Sequence, residues 1–441
     1  MKPLLRRLVL AIGLGRIYRV LALLKARMLV LCNRMRVRAF YRRTLRRINH
    51  YPHNQKIRVL FLVETAAKWK AQSLFSAMKA DGCFLPVMAV CTEKITHFWT
   101  AEKAIAKMDG DRAFYESLGN QCVEAFDRHS MRAIDLRTFK PDIVFFQEPW
   151  RFFEVHSVPY VSRFALCCYI PYSIETFELQ ISHRLPYFHE QLFLQVAPTA
   201  ADAEYVKSWI PWWRRSGGIA GLGHTIFDEY RRTINSQVKN PRDTVIYAPH
   251  FSFPVKGVER AFTISTFLET GKTILEYALQ HPEIKWLFKP HPRLRRELEE
   301  TGVWTKSEID GYYLAWERIG EVCDTGDYIK LFMQSKALIT DCSSFLVEYP
   351  VTGNPLIRLV VKSVNTKVRP AYENLFSTFY TVKSPEELKT VFATVLERGE
   401  DPMREERLKA VDAMGVMGEK SSAERIMGTL LDVCGKKETG E

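Results

Sequence analysis

Three short segments of this 441-residue chain place phosphate-binding or proton-moving side chains where an apolar run ends. In Tyr247-Ala248-Pro249-His250-Phe251-Ser252, Pro249 stops the run and puts His250 at its exit. In Lys289-Pro290-His291-Pro292-Arg293, two prolines stiffen the turn after Trp286-Leu287-Phe288. A Lys, a His and an Arg presented together suit a polyanion such as a pyrophosphate. In Thr340-Asp341-Cys342-Ser343-Ser344, a strand gives way to small polar residues and then to a helix start. Free N–H groups, hydroxyls and the helix dipole favour a phosphate there. Glu348, near the end of that helix, would reach a nucleoside ribose if the phosphate sat at its start. A fourth turn, Gly353-Asn354-Pro355, reads as structural. Each segment has a plainer reading when taken alone: a hydrogen-bonded strand-end His, a rigid loop, an Asp-x-Ser-Ser helix cap. Three of them at successive strand ends describe a nucleotide-diphosphate pocket better than three unrelated turns would.

The elements that must carry these residues alternate between strand and helix. Ile57 to Val63, Phe84 to Val90, Ile143 to Phe146 and Cys167 to Ile170 are short apolar runs, as buried parallel strands require. Ala66 to Ala80 reads as a helix, and Thr96 to Phe139 as a long polar helical region. Gly-rich 216–223 and polar 235–243 mark a boundary. The pattern then restarts with strands at Thr244–Tyr247, Lys285–Lys289, Lys336–Thr340 and Leu356–Val361. Helices are expected at Ser265–Gln280, Arg293–Thr301 and Ser343–Tyr349, with helical periodicity from Pro385 to Cys434. The organisation is therefore an arm over 1–55, an α/β domain over 56–235 and a second over 236–441, facing each other across a cleft. Open parallel sheets bind ligands beyond the C-terminal ends of their strands, so the strand exits are where the site belongs.

The formal charge of +13 is not spread over the chain. Residues 1–50 hold two Lys and twelve Arg with no acid, leaving 49 basic and 50 acidic side chains in the rest. A neutral body argues against a nucleic-acid groove. The longest uncharged run of the arm, Leu8 to Gly15, is eight residues, against the roughly twenty a spanning helix needs. A Leu- and Arg-rich helix lying on an anionic inner leaflet is the expectation, which places the protein in the cytoplasm, peripheral to the membrane. The nine scattered cysteines contain no C-x-x-C, in keeping with reduced thiols and against a zinc ribbon. No P-loop motif occurs, and Glu64-Thr65-Ala66-Ala67 stands where a dinucleotide fingerprint would follow the first strand. Asp109-Gly110-Asp111 reads as a surface turn, and nothing in the sequence calls for a metal or a cofactor. Nothing in it signals an oligomeric state.

Read in order, these motifs resemble the CDP-glycerol glycerophosphotransferase family, which includes teichoic acid polymerases and capsule-locus enzymes. The resemblance covers roughly residues 140–365. It is carried by ITDCSSFLVEYPVTGNPLI (339–357), FKPHPRL (288–294), YAPHFSF (247–253) and FTISTFLETGKTILEYA (262–278). Gly223 and Asp228 match the ends of a G-x-P-R-x-D pattern, whose Pro and Arg are replaced. Teichoic-type polymerases carry a W-H-G with a catalytic His at the end of a first-domain strand. Here that strand reads CCYIPYSIE (167–175), so the chain is similar to the capsule-type branch, and His250 is a candidate to take over the missing role.

The resemblance implies a GT-B-type fold, two facing Rossmann-like domains with the nucleotide on the C-terminal one. It also implies attack of an acceptor hydroxyl on the β-phosphorus of CDP-glycerol or a related CDP-alditol, with release of CMP. His250 and His291 would be catalytic, with His250 favoured as base and His291 as phosphate ligand, the reverse remaining open. Lys289, Arg293, Asp341, Ser343, Ser344 and Glu348 would hold the donor. Tyr172, Ser173 and Glu175 would face a lipid-linked or polysaccharide acceptor, with residues 1–50 on the membrane. Deleting 1–50 is expected to abolish membrane binding while sparing turnover of a soluble acceptor. A sugar-nucleotide glycosyltransferase on the same fold is the alternative, since fold does not fix chemistry. A non-catalytic membrane or RNA-binding protein is a third reading.

Overall fold

Strands covered on both faces must be apolar along their length, and the runs Ile57–Val63 and Thr244–Ala248 accordingly become inner strands of two parallel sheets. The computed structural model describes residues 15–92, 100–150, 153–178, 186–210, 212–236, 243–255, 257, 263–323, 328–360 and 367–436. Most of the Leu8–Gly15 run and of the polar 235–243 segment lies outside the described residues.

The first sheet contains β1 (Ile57–Val63), β2 (Phe84–Val90), β3 (Cys122–Glu124), β6 (Ile143–Phe146), β7 (Leu166–Tyr169), β8 (Leu194–Ala197) and β9 (Gly218–Gly221). Their order is β3-β2-β1-β6-β7-β8-β9. Between β3 and β6, β4 (Phe126–Asp127) and β5 (Arg132–Ala133) form a separate antiparallel pair. The second sheet contains β10 (Thr244–Ala248), β11 (Lys285–Phe288), β12 (Gly320–Val322), β13 (Ser335–Thr340), β14 (Leu356–Leu359) and β15 (Tyr380–Val382), in the order β12-β11-β10-β13-β14-β15. Two parallel sheets with helices between their strands form the expected pair of Rossmann-like domains.

Several expectations change. The long helical region from Thr96 is a helix only over Ala101–Ser117, after which the chain forms β3, β4 and β5. Asp109-Gly110-Asp111 lies inside that helix and is no surface turn. Buried Asp111 accepts the Ala66 N–H at 2.9 Å and pairs with Lys107. The Gly-rich stretch read as a boundary contains β9. A Cβ at Gly217 would overlap the Phe193 backbone and one at Gly221 the backbone of Ala200 at a helix start, so the glycines allow close approach to neighbouring backbone.

The basic arm is less separate than its charge suggests. One helix, Gly15–Asn49, runs 35 residues, and its later turns bury Val37, Tyr41 and Ile48 in the first-domain core. The Tyr41 hydroxyl donates to the Gln191 carbonyl at 2.5 Å, and Arg47 pairs with buried Asp142 at 2.8 Å. Deletion through residue 50 would strip that core, which corrects the expectation of a cost-free truncation. No described helix is long and apolar enough to cross a membrane.

At the other end, the helix Ser422–Cys434 returns to the first domain and buries Ala423, Ile426, Leu430, Leu431 and Cys434 there. Asp228 receives it: its carboxylate accepts the N–H groups of Ser422 (2.7 Å) and Ala423 (3.0 Å) and the Ser73 hydroxyl (2.9 Å). Gly223, at φ 89°, lies against Ser422 and Arg425, where a Cβ would collide with both. The family-like Gly223 and Asp228 thus hold the crossing helix in place. Asp228→Ala should lower the unfolding free energy by about 1–3 kcal/mol in urea denaturation, since a buried helix-start acceptor is lost. An unchanged midpoint would contradict this role.

Candidate active site

Strands β11, β10 and β13 are neighbours, so the three segments singled out in the sequence leave the second sheet side by side. Backbone hydrogen bonds tie them: Lys289 N–H to Tyr247 C=O at 2.8 Å, and His291 N–H to Pro249 C=O at 3.0 Å. Asp341, fully enclosed at the end of β13, accepts the His250 N–H at 2.6 Å. It also accepts the Thr266 N–H at 2.6 Å and the Thr266 hydroxyl at 3.1 Å. Burial pushes its carboxyl up to about 6, against the pull of those donors. The His250 and His291 rings come within 4.9 Å centre to centre.

Their hydrogen bonds fix the tautomers. Nδ1 of His250 accepts the Ser252 N–H at 3.2 Å, and Nδ1 of His291 accepts the Arg293 N–H at 3.1 Å. Each neutral imidazole therefore carries its proton on Nε2, as a donor. Burial lowers both pKa values, and neighbouring positive charge adds to it. His250 falls well below its usual range under burial, His291 and Arg293; His291 falls to about 3 under burial, Arg293 and Lys289. With its proton on Nε2, His250 has Nδ1 as its basic atom, and Nδ1 lies 2.9 Å from the Ser252 Oγ.

The other expected donor residues are placed as follows. Lys289 is buried, with its ammonium 5.7 Å from the centre of the Tyr328 ring. Arg293 is exposed, lies 4.3 Å from the centre of the Phe251 ring and pairs with Glu297 at 2.6 Å. Glu348 is buried and accepts the Tyr328 hydroxyl; burial raises its pKa while the nearby Lys70 charge lowers it. The helix after Ser344 is a single α-turn, Phe345–Glu348, continued as a 3-10 turn through Thr352. Ser344 is half-buried at its start. Ser343 points across to the first domain, with its Oγ 2.8 Å from the Thr176 Oγ1 and 3.2 Å from the Thr176 N–H.

The first-domain residues divide. Tyr172 stands edge-on to Trp150 at 6.1 Å, with Lys68 at 5.7 Å from its ring centre; Lys68 itself pairs with Glu148 at 2.7 Å. Ser173 and Glu175 line a small cavity with Asp202 and Arg369. Glu175 is paired to Arg369, a residue of the second domain that also reaches buried Asp202 at 3.4 Å. Backbone pairing between Thr176–Glu178 and Lys367–Arg369 extends this junction.

One residue of the site was not singled out in the sequence. Lys70, from the first-domain loop after β1, brings its ammonium 4.6 Å from the centre of the Tyr328 ring, so a cation from each domain meets that ring. Its signal was its place after the first strand. Reading 66–80 as one helix concealed it, for the chain makes a 3-10 turn at Ala66–Lys68 and starts its helix at Gln72. Among the described residues no group of three His, Cys, Asp or Glu is placed to hold a metal ion.

Two facing parallel α/β domains, with cations and small hydroxyl residues at the strand exits of the second, make up a fold of the GT-B type. Residues 227–432 match the model of the CDP-Glycerol:Poly(glycerophosphate) glycerophosphotransferase family. No curated protein matches the chain. Among solved structures, the S. aureus MnaA–UDP co-structure aligns at TM-score 0.55 and 12% identity, covering 87% of this chain and 100% of that one. UDP-GlcNAc 2-epimerase from Neisseria meningitidis bound to UDP-GlcNAc aligns at 0.51 and 13%, covering 86% and 100%. A variant of the wall teichoic acid polymerase TagF aligns at 0.50 and 13%, covering 90% and 93%. At these identities the likeness is one of fold.

Depressed histidine pKa values have a signed consequence for stability. The unfolded chain binds protons near pH 6.5, whereas folded His224, pushed down to about 4 mainly by burial, and His291, at about 3, do not. Their contribution is present above pH 6.5 and is lost as pH falls towards 4, so urea midpoints should drop between pH 7 and pH 5. Nitrogen-15 NMR of labelled histidine should find His250 and His291 as Nε2–H tautomers, still neutral at pH 6. An Nδ1–H signal for His250 would contradict this assignment and make Nε2 its basic atom.

Proposed function

We propose that the protein transfers an alditol phosphate, glycerol phosphate first among them, from a CDP-alditol to an acceptor hydroxyl in the synthesis of a cell-surface polymer of the capsule or teichoic acid type. The observation that carries this reading is the convergence of His250, Lys289 and His291 on one group of strand exits, within a region that matches a glycerophosphotransferase family. In this reading the two Nε2–H groups and Lys289 bind the diphosphate, with Arg293 at the rim and Ser344 at the turn behind it. Lys70 closes onto the donor from the first domain. Ser343 and Glu175 serve the junction between domains, and Glu348 holds Tyr328. Tyr172 and Ser173 remain the candidates for contact with the acceptor.

The acceptor oxygen attacks the β-phosphorus, and the bridging P–O bond breaks with its electron pair going to CMP. Phosphoryl transfer of this kind asks the protein chiefly for positioning and charge stabilisation. The hydroxyl proton leaves on the new CMP phosphate, whose second pKa of about 6 suits it to accept one. No metal or cofactor is invoked. The acceptor is lipid-linked or polysaccharide, and the basic helix holds the enzyme on the inner face of the membrane.

The test is nucleotide release from purified protein given CDP-glycerol, CDP-ribitol and a panel of NDP-sugars. CMP should appear only with a CDP-alditol and should be lost in both His250→Ala and His291→Ala. Lys70→Met should raise the donor KM by roughly tenfold or more, the value of one charge-assisted contact, while leaving CMP binding unchanged. Release of a nucleoside diphosphate from a sugar donor would overturn the reading in favour of a glycosyltransferase.

A further inference from the structure

Two exposed tryptophans lie beside the basic helix, although nearly two hundred residues separate them from it in sequence. Trp212 is 69% exposed and Trp213 38%, in a loop that reads Trp212-Trp213-Arg214-Arg215. Such rings are ordinarily covered, and their exposure needs a reason. On the helix Gly15–Asn49, Met28, Leu31 and Met35 are 61%, 43% and 63% exposed. At 100° per residue, positions 28, 31, 35, 38 and 42 form one stripe, distinct from the face that buries Val37, Tyr41, Thr44 and Ile48.

Arg34 joins the two elements. Its guanidinium donates to the Trp213 carbonyl and lies 5.7 Å from the centre of the Trp212 ring. Arg214 is stacked 5.7 Å from the Trp213 ring and is paired to buried Glu190. Arg34, Arg42 and Arg215 all act on Arg38 as like charges, and the helix offers no acid of its own.

We infer that Trp212, Trp213 and the Met28–Leu31–Met35–Arg38–Arg42 stripe form one composite face that seats the protein on a bilayer rich in anionic phospholipid. The chemistry on each side matches. Tryptophans and a Met/Leu ridge enter the headgroup boundary, and the arginines flanking them meet lipid phosphates. A second copy of this chain fits poorly, because a two-fold contact would set one acid-free arginine cluster against another. The inference deepens the membrane reading above. The first domain itself, through its 212–215 loop, contributes to the contact, which fixes which way the cleft faces the membrane.

The test uses full-length protein and co-sedimentation with phosphatidylcholine vesicles, with and without 30 mol% phosphatidylglycerol, in 0.1 M salt. Wild type should pellet only with the anionic vesicles, with a blue shift in tryptophan emission. Trp212→Ser/Trp213→Ser, which keeps residues 1–50 intact, should partition roughly tenfold less, while retaining wild-type circular dichroism. Met28→Ser/Met35→Ser, altered at exposed positions, should show the same loss and covers the case of a misfolded tryptophan variant. Binding of both variants at wild-type strength would leave the basic arm alone responsible and overturn the composite face. Indifference of the wild type to anionic vesicles, or conversion of a dimer to monomer by the tryptophan substitutions, would overturn it as well. The readout does not depend on CMP release, so an enzyme inactive towards CDP-alditols that still bound through this face would refute only the proposed reaction.

Discussion

The buried carboxylate of Asp341 is the point on which the site depends. It ends β13, yet its oxygens are used by other segments: the His250 N–H after β10 and the Thr266 N–H and hydroxyl ahead of the helix Phe267–Gln280. One side chain thereby fixes where the chain turns away from the sheet on two sides. Its carboxyl pKa, held up at about 6 by burial, records the cost of enclosing a charge. Removing the carboxylate would leave two buried backbone donors without an acceptor. His250 is positioned through its backbone by this group and oriented at its ring by Ser252. The arrangement requires both Asp341 and a residue two positions beyond the histidine whose N–H meets Nδ1.

A second constraint is that the two domains share side chains. Asp228 in the helix Ile226–Asn235 holds the helix that returns to the first domain, Arg369 from the second domain enters a first-domain carboxylate pair, and Thr176 meets Ser343. Lys70 faces Tyr328 across the same cleft. The Thr176–Ser343 and Lys70–Tyr328 contacts lie beside the strand exits that would hold a donor, so ligand binding and domain apposition would be linked there. The basic helix, anchored by Val37, Tyr41 and Ile48, joins the first domain rigidly to whatever its exposed stripe touches.

Much of this was legible in the amino-acid sequence, for identifiable reasons. Buried parallel strands must be apolar throughout, so β1, β2, β6, β7, β10, β11, β13 and β14 stand out. Prolines after β10 and β11 mark their exits, which is why His250 and His291 could be singled out. Short edge strands carry no such signal: β3, β12 and β15 are three residues each, and β9 is half glycine. The roles of Glu175 and Ser343 were hidden because their partners, Arg369 and Thr176, lie more than 160 residues away. The histidine tautomers depend on two backbone N–H groups whose direction no residue pattern reveals. Lys70 was masked by a local helical periodicity that a 3-10 turn interrupts, and Trp212 by a loop whose neighbour in space is the distant N-terminal helix.

In the proposed reaction the exits of β10, β11 and β13 bind the diphosphate of a nucleotide donor. An experimental structure of the full chain with CDP-glycerol would test it most directly. The diphosphate should lie between the Nε2 atoms of His250 and His291, with Lys289 and Lys70 as its ammonium partners. A donor whose phosphates lay elsewhere in the cleft, with both Nε2 atoms bound only to protein or water, would contradict it.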